Sequence, residues 1–333
     1  MISCLRRAGV DVEEIHASVW EGRKAGWSAG IGASLRLATA EVRLLARPAP
    51  TADALVVGYP GHFDLPAAKR AARARPVVFN PLVSLADTLV GDRARFRRGS
   101  LPARALELVD RRAFAAADVV VADTDAHAEY FAQLTNRRVE TCFVGAEDRL
   151  FTPGWTQPDR FSVLFVGKLI PLQGVDVVLE AARLAPEISF RVVGSGQLDE
   201  LLRRRPPNVE HVAWVEYEDL PAELRRAGCA LGIFGASPKA ARVIPNKAFQ
   251  ALACATPLVT ADTPAARELL VDGESALLVP TGDPAALAAA VRRIAEDAKL
   301  AASLSRGGRS AYGLRASEAV LGPRWRAIIE RLL

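Results

Sequence analysis

The sequence predicts an α/β protein built from two doubly wound, Rossmann-like parallel-sheet domains facing a cleft. Three observations carry that prediction. Short β-branched runs alternate with helical stretches rich in Ala, Leu and Arg along all 333 residues. The runs are continuously apolar, as strands are when helices cover both faces of their sheet. The alternation breaks once, at FTPGWTQPDR (151–160), whose two prolines and glycine mark a linker between domains 1–150 and 161–333.

Taken in order, the strands expected in the first half are ALVVGYP (54–60), RPVVFN (75–80), DVVVAD (118–123) and ETCFVG (140–145). Those expected in the second are FSVLFVG (161–167), FRVVGSG (190–196), VEHVAWV (209–215), CALGIF (229–234) and TPLVTAD (256–262). The start departs from the pattern. SCLRRAGV reads as the end of a helix, followed by the strand-like VDVEEIHAS (10–18). A doubly wound domain opens with a strand and a ligand-facing loop, so the N-terminal domain reads as lacking its first strand. A start assigned too late is the expected reason, because a central strand is costly to omit.

Composition narrows the class. Hydrophobic residues make up 50% and charged residues 24%, the proportions of a soluble globular chain. No apolar run approaches the roughly 18–20 residues that span a bilayer. MISCLRRAGVDVEE has charges where a signal peptide has its apolar core, so a cytoplasmic location is expected. Cys4, Cys142, Cys229 and Cys254 are far apart and are expected as buried, reduced thiols. His16, His62, His127 and His211 show no ligand spacing, so no protein-bound metal is expected. The net charge of +5 is spread along the chain, with 21 basic against 18 acidic residues in 1–150 and 22 against 20 in 151–333. RARFRR (93–98) and RRR (203–205) are the local basic runs. They read as solvated surface, or as a contact with phosphate groups of an acceptor or of an anionic membrane face. Nucleic acid is excluded, since no aromatic stacking platform accompanies them.

Ligands of open parallel sheets sit beyond the carboxyl ends of the strands. Two loops there, VGKLIPLQG (166–174) and VGSGQ (193–197), contain Gly167, Gly174, Gly194 and Gly196. Glycine lets backbone approach a ligand closely, and the amides opening the following helices favour phosphate. The basic background of the chain is arginine, 37 residues against six lysines. Yet Lys168, Lys239 and Lys247 all fall in these loops or in KAARVIPNKAFQALACATPLVTADTPAARELL (239–270). A lysine serves as a compact point charge for phosphate. Pro245 is expected just before a helix that starts near Asn246, since the amide it lacks would be unpaired there.

These segments resemble the donor domain of a family 4 retaining glycosyltransferase of GT-B fold. The resemblance runs through VGKLIPLQGVDVVLEAARL, RVVGSGQ, VEHVAWVEYEDLPAELRRAGCALGIF and PNKAFQALACATPLVTADTPAARELLVDGESALLVPTGDPAALAAAV. In the first half ADVVVADTDAHAEYF and VGAEDRLFTPG resemble the end of the family's acceptor domain and its crossing to the linker. It covers roughly residues 50–333 and is strongest over 161–284. Carried over by position, Lys168 matches the arginine of the family's G-R-L-x-x-x-K-G and Gln173 replaces its lysine, the pair that holds the donor diphosphate. In the family's E-x7-E pair, Gln250 takes the glutamate that binds the ribose, and Arg242 takes the one that contacts the transferred sugar. Pro245 and Lys247 match a P-x-K-x-x-E variant, and amides near Asn246 and Lys247 would face the distal phosphate. Val215, in VEYEDL, would line the base through backbone groups.

The substitutions alter the chemistry expected. Gln250 keeps an acceptor oxygen but no charge, a loss of about 1 kcal/mol. Arg242 accepts no bond from a sugar hydroxyl, yet it can restore the charge that Gln173 lacks or bind an anionic sugar. On the acceptor side the candidates are Tyr59, His62, Ser84, Thr88 and Asp87, the last as a hydroxyl ligand or as a helix cap.

What the resemblance implies is transfer of a hexose-type unit from a UDP- or GDP-type nucleotide sugar to an unidentified acceptor, with retention. Lys168, Lys247 and helix-terminal amides would stabilise the leaving diphosphate, whose oxygen takes the acceptor's proton. No cofactor or metal is expected beyond the donor substrate. Two other readings stay open: a nucleotide-sugar epimerase, which would need acid and base carboxylates in the quoted segment, and a degenerate transferase that binds and regulates.

Overall fold

The computed structural model describes residues 1–17 and 31–333. It divides into two compact units, 2–142 with 322–333, and 143–321.

The first unit opens with α1 (Ile2–Arg7) and α2 (Ile31–Ala46). There follow β1 (Leu55–Val57), α3 (Leu65–Ala72), β2 (Val77–Phe79), α4 (Leu101–Ala116), β3 (Val119–Ala122), α5 (Asp125–Ala132) and β4 (Arg138–Thr141). The strands form a parallel sheet in the order β1-β2-β3-β4. All residues of β2 and β3 are buried, as their unbroken apolar runs require. Serine and threonine start the helices: Ser100 Oγ accepts from the Ala103 amide at α4, and Thr124 Oγ1 from the His127 amide at α5. Phe79, Phe114 and Phe131 pack edge to face between them, with centroids 5.6 and 4.8 Å apart.

The second unit contains β5 (Ser162–Val166), α6 (Val175–Leu184), β6 (Ser189–Val193), α7 (Asp199–Leu202), β7 (Val209–Val212), α8 (Leu220–Arg226) and β8 (Cys229–Leu231). It continues with α9 (Asn246–Ala253), β9 (Leu258–Ala261), α10 (Pro264–Arg267), β10 (Leu277–Val279), α11 (Pro284–Glu296) and α12 (Ala298–Arg315). The last helix, α13 (Glu318–Glu330), returns the chain to the first unit. The sheet is parallel, in the order β10-β9-β8-β5-β6-β7. Chain order therefore reverses between β5 and β8, the switch point where doubly wound sheets bind ligands.

Several expectations are corrected. Residues 11–17 of VDVEEIHAS form no strand, and residue 18 lies outside the described residues; its three apolar positions are interrupted by Asp11, Glu13 and Glu14. The strand expected at 140–145 lies at 138–141, because the Cys142 amide bonds Ala122 O at the end of β3 and the chain then turns at Gly145 (φ +71°). β10, only three residues long, was not anticipated.

The boundary at 150 also differs, for visible reasons. Tyr312 Oη donates to Asp148 Oδ1 at 2.7 Å, and Trp155 Nε1 donates to Ala227 O at 2.7 Å, so 143–160 is fastened into the second unit. At the other end Gly322 lies against the Cys4 carbonyl, where a Cβ would come within 2.4 Å, and Arg326 Nη1 donates to Ala8 O at 3.2 Å. The end of α13 thus packs on α1. The four cysteines are buried and free; burial pushes Cys254 up to about 11 and Cys142 up to about 12.

Candidate functional site

At the carboxyl ends of β8, β5 and β6 three loops interlock through glycine. The Gly167 amide bonds Val193 O at 3.0 Å, Leu169 N bonds Ser195 O at 3.2 Å, and Leu198 N returns to Leu169 O at 2.9 Å. A Cβ on Gly194 would stand 2.0 Å from the Gly167 carbonyl oxygen, and one on Gly196 2.7 Å from that of Leu169. On the other side of the switch point the Phe234 amide bonds Gln173 O at 3.2 Å. Gly174, at φ +68°, packs on Phe234 where a Cβ would come within 2.7 Å, and it opens α6. Only glycine fits these positions, so the sequence makes the loops close-packed backbone ridges.

The glycine amides of this set all have partners: beside Gly167, Gly174 donates to Pro171 O at 3.0 Å and Gly194 to Val212 O at 2.9 Å. The Gly196 N–H donates to Asp199 Oδ1 at 2.5 Å, so the β6 loop is capped by its own acid. Gln173 keeps its side chain against Gly167, and its buried Oε1 has no hydrogen-bond partner among the described residues. Lys168 is exposed at the tip of the β5 loop.

The segment singled out in the sequence forms a turn and a helix. A 3₁₀ turn, Ala240–Arg242, leads through Val243 and Ile244 to Pro245, which caps α9 in extended conformation (ψ 148°). The helix starts at Asn246, as its proline implies. Within its first turn the Ala248 amide bonds Pro245 O at 2.9 Å, and the Asn246 side chain is exposed. Arg242 is half-buried, while Lys239 is buried.

Lys247 departs from expectation. It is 7% exposed, with Nζ 3.5 Å from the centroid of the Phe165 ring and no hydrogen-bond partner among the described residues. Burial alone holds its amine well below the ordinary lysine range.

One turn further along α9, Gln250 hydrogen-bonds the side chain of Tyr217. Tyr217 packs edge-on against Phe151, centroids 5.5 Å apart. Its hydroxyl is pushed above the ordinary tyrosine range by burial first and then by the charge of Glu147, while the bond with Gln250 acts the other way. The glutamine at the acidic position thus belongs to a neutral Tyr–Gln pair. Val215 is half-buried just before it. Nearby, His211 Nε2 donates to Gly194 O at 2.8 Å and ties β7 to the β6 loop.

The acceptor-side candidates lie in the first unit. Ser84 is fully buried; its Oγ donates to Asp110 Oδ2 at 2.7 Å and accepts from the Asp87 amide at 3.0 Å. Thr88 Oγ1 donates to Ser84 O at 2.7 Å. His62 is buried, with Nδ1 2.5 Å from Pro60 O and Nε2 3.1 Å from Asp110 Oδ1. These three side chains serve an internal network centred on Asp110, which also accepts from the Leu85 and Ala86 amides at 2.8 and 2.9 Å. Ser84 and His62 do not face solvent, contrary to expectation. Asp87, half-buried, begins a π-helical turn, Asp87–Asp92, and Tyr59 is exposed. Asp110 was missed because nothing in the amphipathic repeat of α4 marks it. Tyr217 was missed although VEYEDL was expected to line the base, because that expectation rested on its backbone groups.

Two hollows on the described surface lie elsewhere. One, about 440 Å³, lies between α6 and α7, and another, about 400 Å³, beside the amino ends of β5 and β6. No group of metal-ligating side chains occurs among the described residues.

Residues 160–297 match the family model for glycosyl transferases group 1. The matched stretch runs from β5 to the end of α11 and contains all three glycine loops and α9. Among characterised relatives, phosphatidyl-myo-inositol mannosyltransferase of Mycobacterium leprae is 33% identical over 39% of this chain and 36% of its own length. D-inositol 3-phosphate glycosyltransferase of Thermomonospora curvata is 29% identical over 72% of this chain and 62% of its own. The chain thus spans less than two thirds of either relative. In three dimensions it is similar to sucrose-phosphate synthase from Thermosynechococcus elongatus, with a TM-score of 0.73 at 17% identity over 90% of this chain and 78% of that one. It is also similar to the Anabaena protein HepE in complex with UDP-glucose, with a TM-score of 0.69 at 17% identity over 89% and 82%. These likenesses establish the fold: two parallel-sheet α/β units of GT-B type.

Proposed function

We propose that the chain is a glycosyltransferase of family 4 type that takes a sugar from a UDP- or GDP-linked donor and passes it, with retention, to a hydroxylated acceptor. The observation that carries the reading is the set of glycine loops at the β5/β8 switch point, inside the group 1 match and beside the first turn of α9. The opening turn of α9 and exposed Lys168 there offer a diphosphate positive potential with little side-chain bulk. The donor class is supported by relatives: HepE is seen with UDP-glucose, and a Mycolicibacterium smegmatis relative is named as GDP-mannose-dependent. Departure of the diphosphate develops negative charge that the start of α9 and the lysines stabilise, and a diphosphate oxygen takes the acceptor's proton. No metal ion is needed for that step.

Tyr217 and Gln250 fit the ribose as a neutral pair, and Arg242 supplies charge near the phosphates in place of Gln173. The acceptor belongs to the first unit, with Tyr59 and Asp87 as its contacts. The same unit exposes a stripe of α4, Leu101, Arg104, Leu108 and Arg111, next to Arg97 and Arg98 of the preceding loop. Apolar and basic side chains on one face suit an anionic membrane surface. No helix among the described residues is long and apolar enough to cross a membrane.

The test is release of UDP from UDP-glucose and of GDP from GDP-mannose by the purified chain, alone and with inositol phosphates or polyprenol-type acceptors. Acceptor-dependent release with α-configured product supports the reading. Tight nucleotide binding without turnover would reduce the protein to a degenerate transferase, and interconversion of free donor epimers would make it an epimerase.

A further inference from the structure

We propose that binding of a nucleoside diphosphate at the start of α9 draws one proton from solvent onto Nζ of Lys247. The inference rests on the donor site proposed above and adds how that site handles charge. Lys247 occupies the second position of α9, at the positive end of the helix dipole. Its residue is more than nine-tenths buried, its Nζ has no acceptor among the described residues, and its nearest feature is the face of Phe165 at 3.5 Å. An aromatic face alone is a poor substitute for the hydration an ammonium loses on burial.

No opposite charge offsets that loss. Of the elements packed on α9, α8 and α12 carry Arg225 and Arg309 toward Cys254 at the far end of the helix. Glu223 of α8 is paired with Arg191, 2.8 Å from its Nε. β8 offers only the Cys229 thiol, buried and pushed up, and β9 has no titratable group. Burial is the single cause acting on the Lys247 amine, and it favours the uncharged form.

A phosphate oxyanion changes both conditions at once. It brings an opposite charge within contact distance and acceptor oxygens for the ammonium, which together favour protonation. The free amine takes a proton from buffer; no covalent bond forms or breaks. Lys168, exposed on its loop, serves as the comparison. Donor binding is thereby linked to pH through one of the two lysines only.

Isothermal titration of the full chain with UDP and with GDP tests this. It is run at about pH 7.5, 8.5 and 9 in pairs of buffers of low and high ionisation enthalpy, where the diphosphate itself is fully ionised (second phosphate pKa about 6). Wild type should take up between about 0.5 and 1 proton per nucleotide, with affinity falling up to tenfold per pH unit across the range where uptake is complete. Uridine and guanosine should show neither effect. Lys247→Met should abolish the uptake, while Lys168→Ala should bind more weakly and keep it. Binding heat independent of buffer in wild type, which needs no variant, overturns the proposal and leaves the donor site standing. So does persistent uptake in a folded Lys247→Met protein. Failure of both nucleotides to bind overturns the donor site and this inference together.

Discussion

The close contact between the β5 and β6 loops makes Gly194→Ala the sharpest structural perturbation. A Cβ at residue 194 would lie 2.0 Å from the Gly167 carbonyl oxygen and 2.9 Å from its carbon. Carbon and oxygen settle at about 3.3 Å, so the loops must part by roughly 1.3 Å. That movement strains the Leu169–Ser195 and Leu198–Leu169 backbone bonds, each worth about 1 kcal/mol net. Gly194 also sits at φ +131°, where an L side chain adds about 1–3 kcal/mol. The expected loss is about 3–5 kcal/mol, with weaker diphosphate binding. Gly273→Ala is the control: φ is +74°, but nothing lies within 4 Å of its Cβ, so only about 1–2 kcal/mol of backbone cost applies. Urea unfolding followed by tryptophan fluorescence compares the two. If Gly194→Ala is within about 0.5 kcal/mol of Gly273→Ala, the interlocked loops do not exist as described.

Three further outcomes follow from the geometry. The folded chain holds the Lys247 amine well below its unfolded value, so the unfolded state binds the extra proton. Stability should therefore rise with pH from the folded pKa up to about 10.4, and Lys247→Met should remove that slope and raise the neutral-pH melting temperature, read by calorimetry at several pH values. Asp110→Ala leaves Ser84 Oγ, two backbone amides and His62 facing an apolar methyl, a cost of about 3–5 kcal/mol in a denaturant melt; a change under about 1 kcal/mol would deny that network its role. Arg242→Glu should weaken diphosphate binding by about 1–3 kcal/mol through repulsion at roughly 4–6 Å, and Gln173→Lys should recover part of it. Additive effects within about 0.5 kcal/mol in the double-mutant cycle would show that the two residues share no ligand.

What the sequence disclosed depended on how local its causes were. The buried strands β5, β8 and β9 of the second unit stand out because each is a nearly continuous apolar run, and the start of α9 because Pro245 fixes it alone. β10 is three residues long, too short for periodicity to register. The burial of Lys247 brings its Nζ over Phe165, a residue of β5 82 positions earlier, and no spacing rule connects them. Likewise no spacing marks the pairing of Gln250 with Tyr217. Ser84 and His62 read as acceptor-side candidates, but Asp110 reaches them from α4 and holds them inside. The unit boundary escaped for the same reason: Tyr312 and Trp155 fasten 143–160 by contacts made 72 residues away or more.

The central claim is that the glycine loops and α9 bind a diphosphate. Its most direct measurement is the affinity of UDP against uridine and of GDP against guanosine for the wild-type chain and for Lys168→Ala. The account predicts that one diphosphate binds at least about a hundredfold more tightly than its nucleoside, roughly 2.7 kcal/mol. It predicts too that Lys168→Ala removes about 1.5–3 kcal/mol from the diphosphate and nothing from the nucleoside. Equal affinities within each pair, or equal losses for both ligands in the variant, would contradict it.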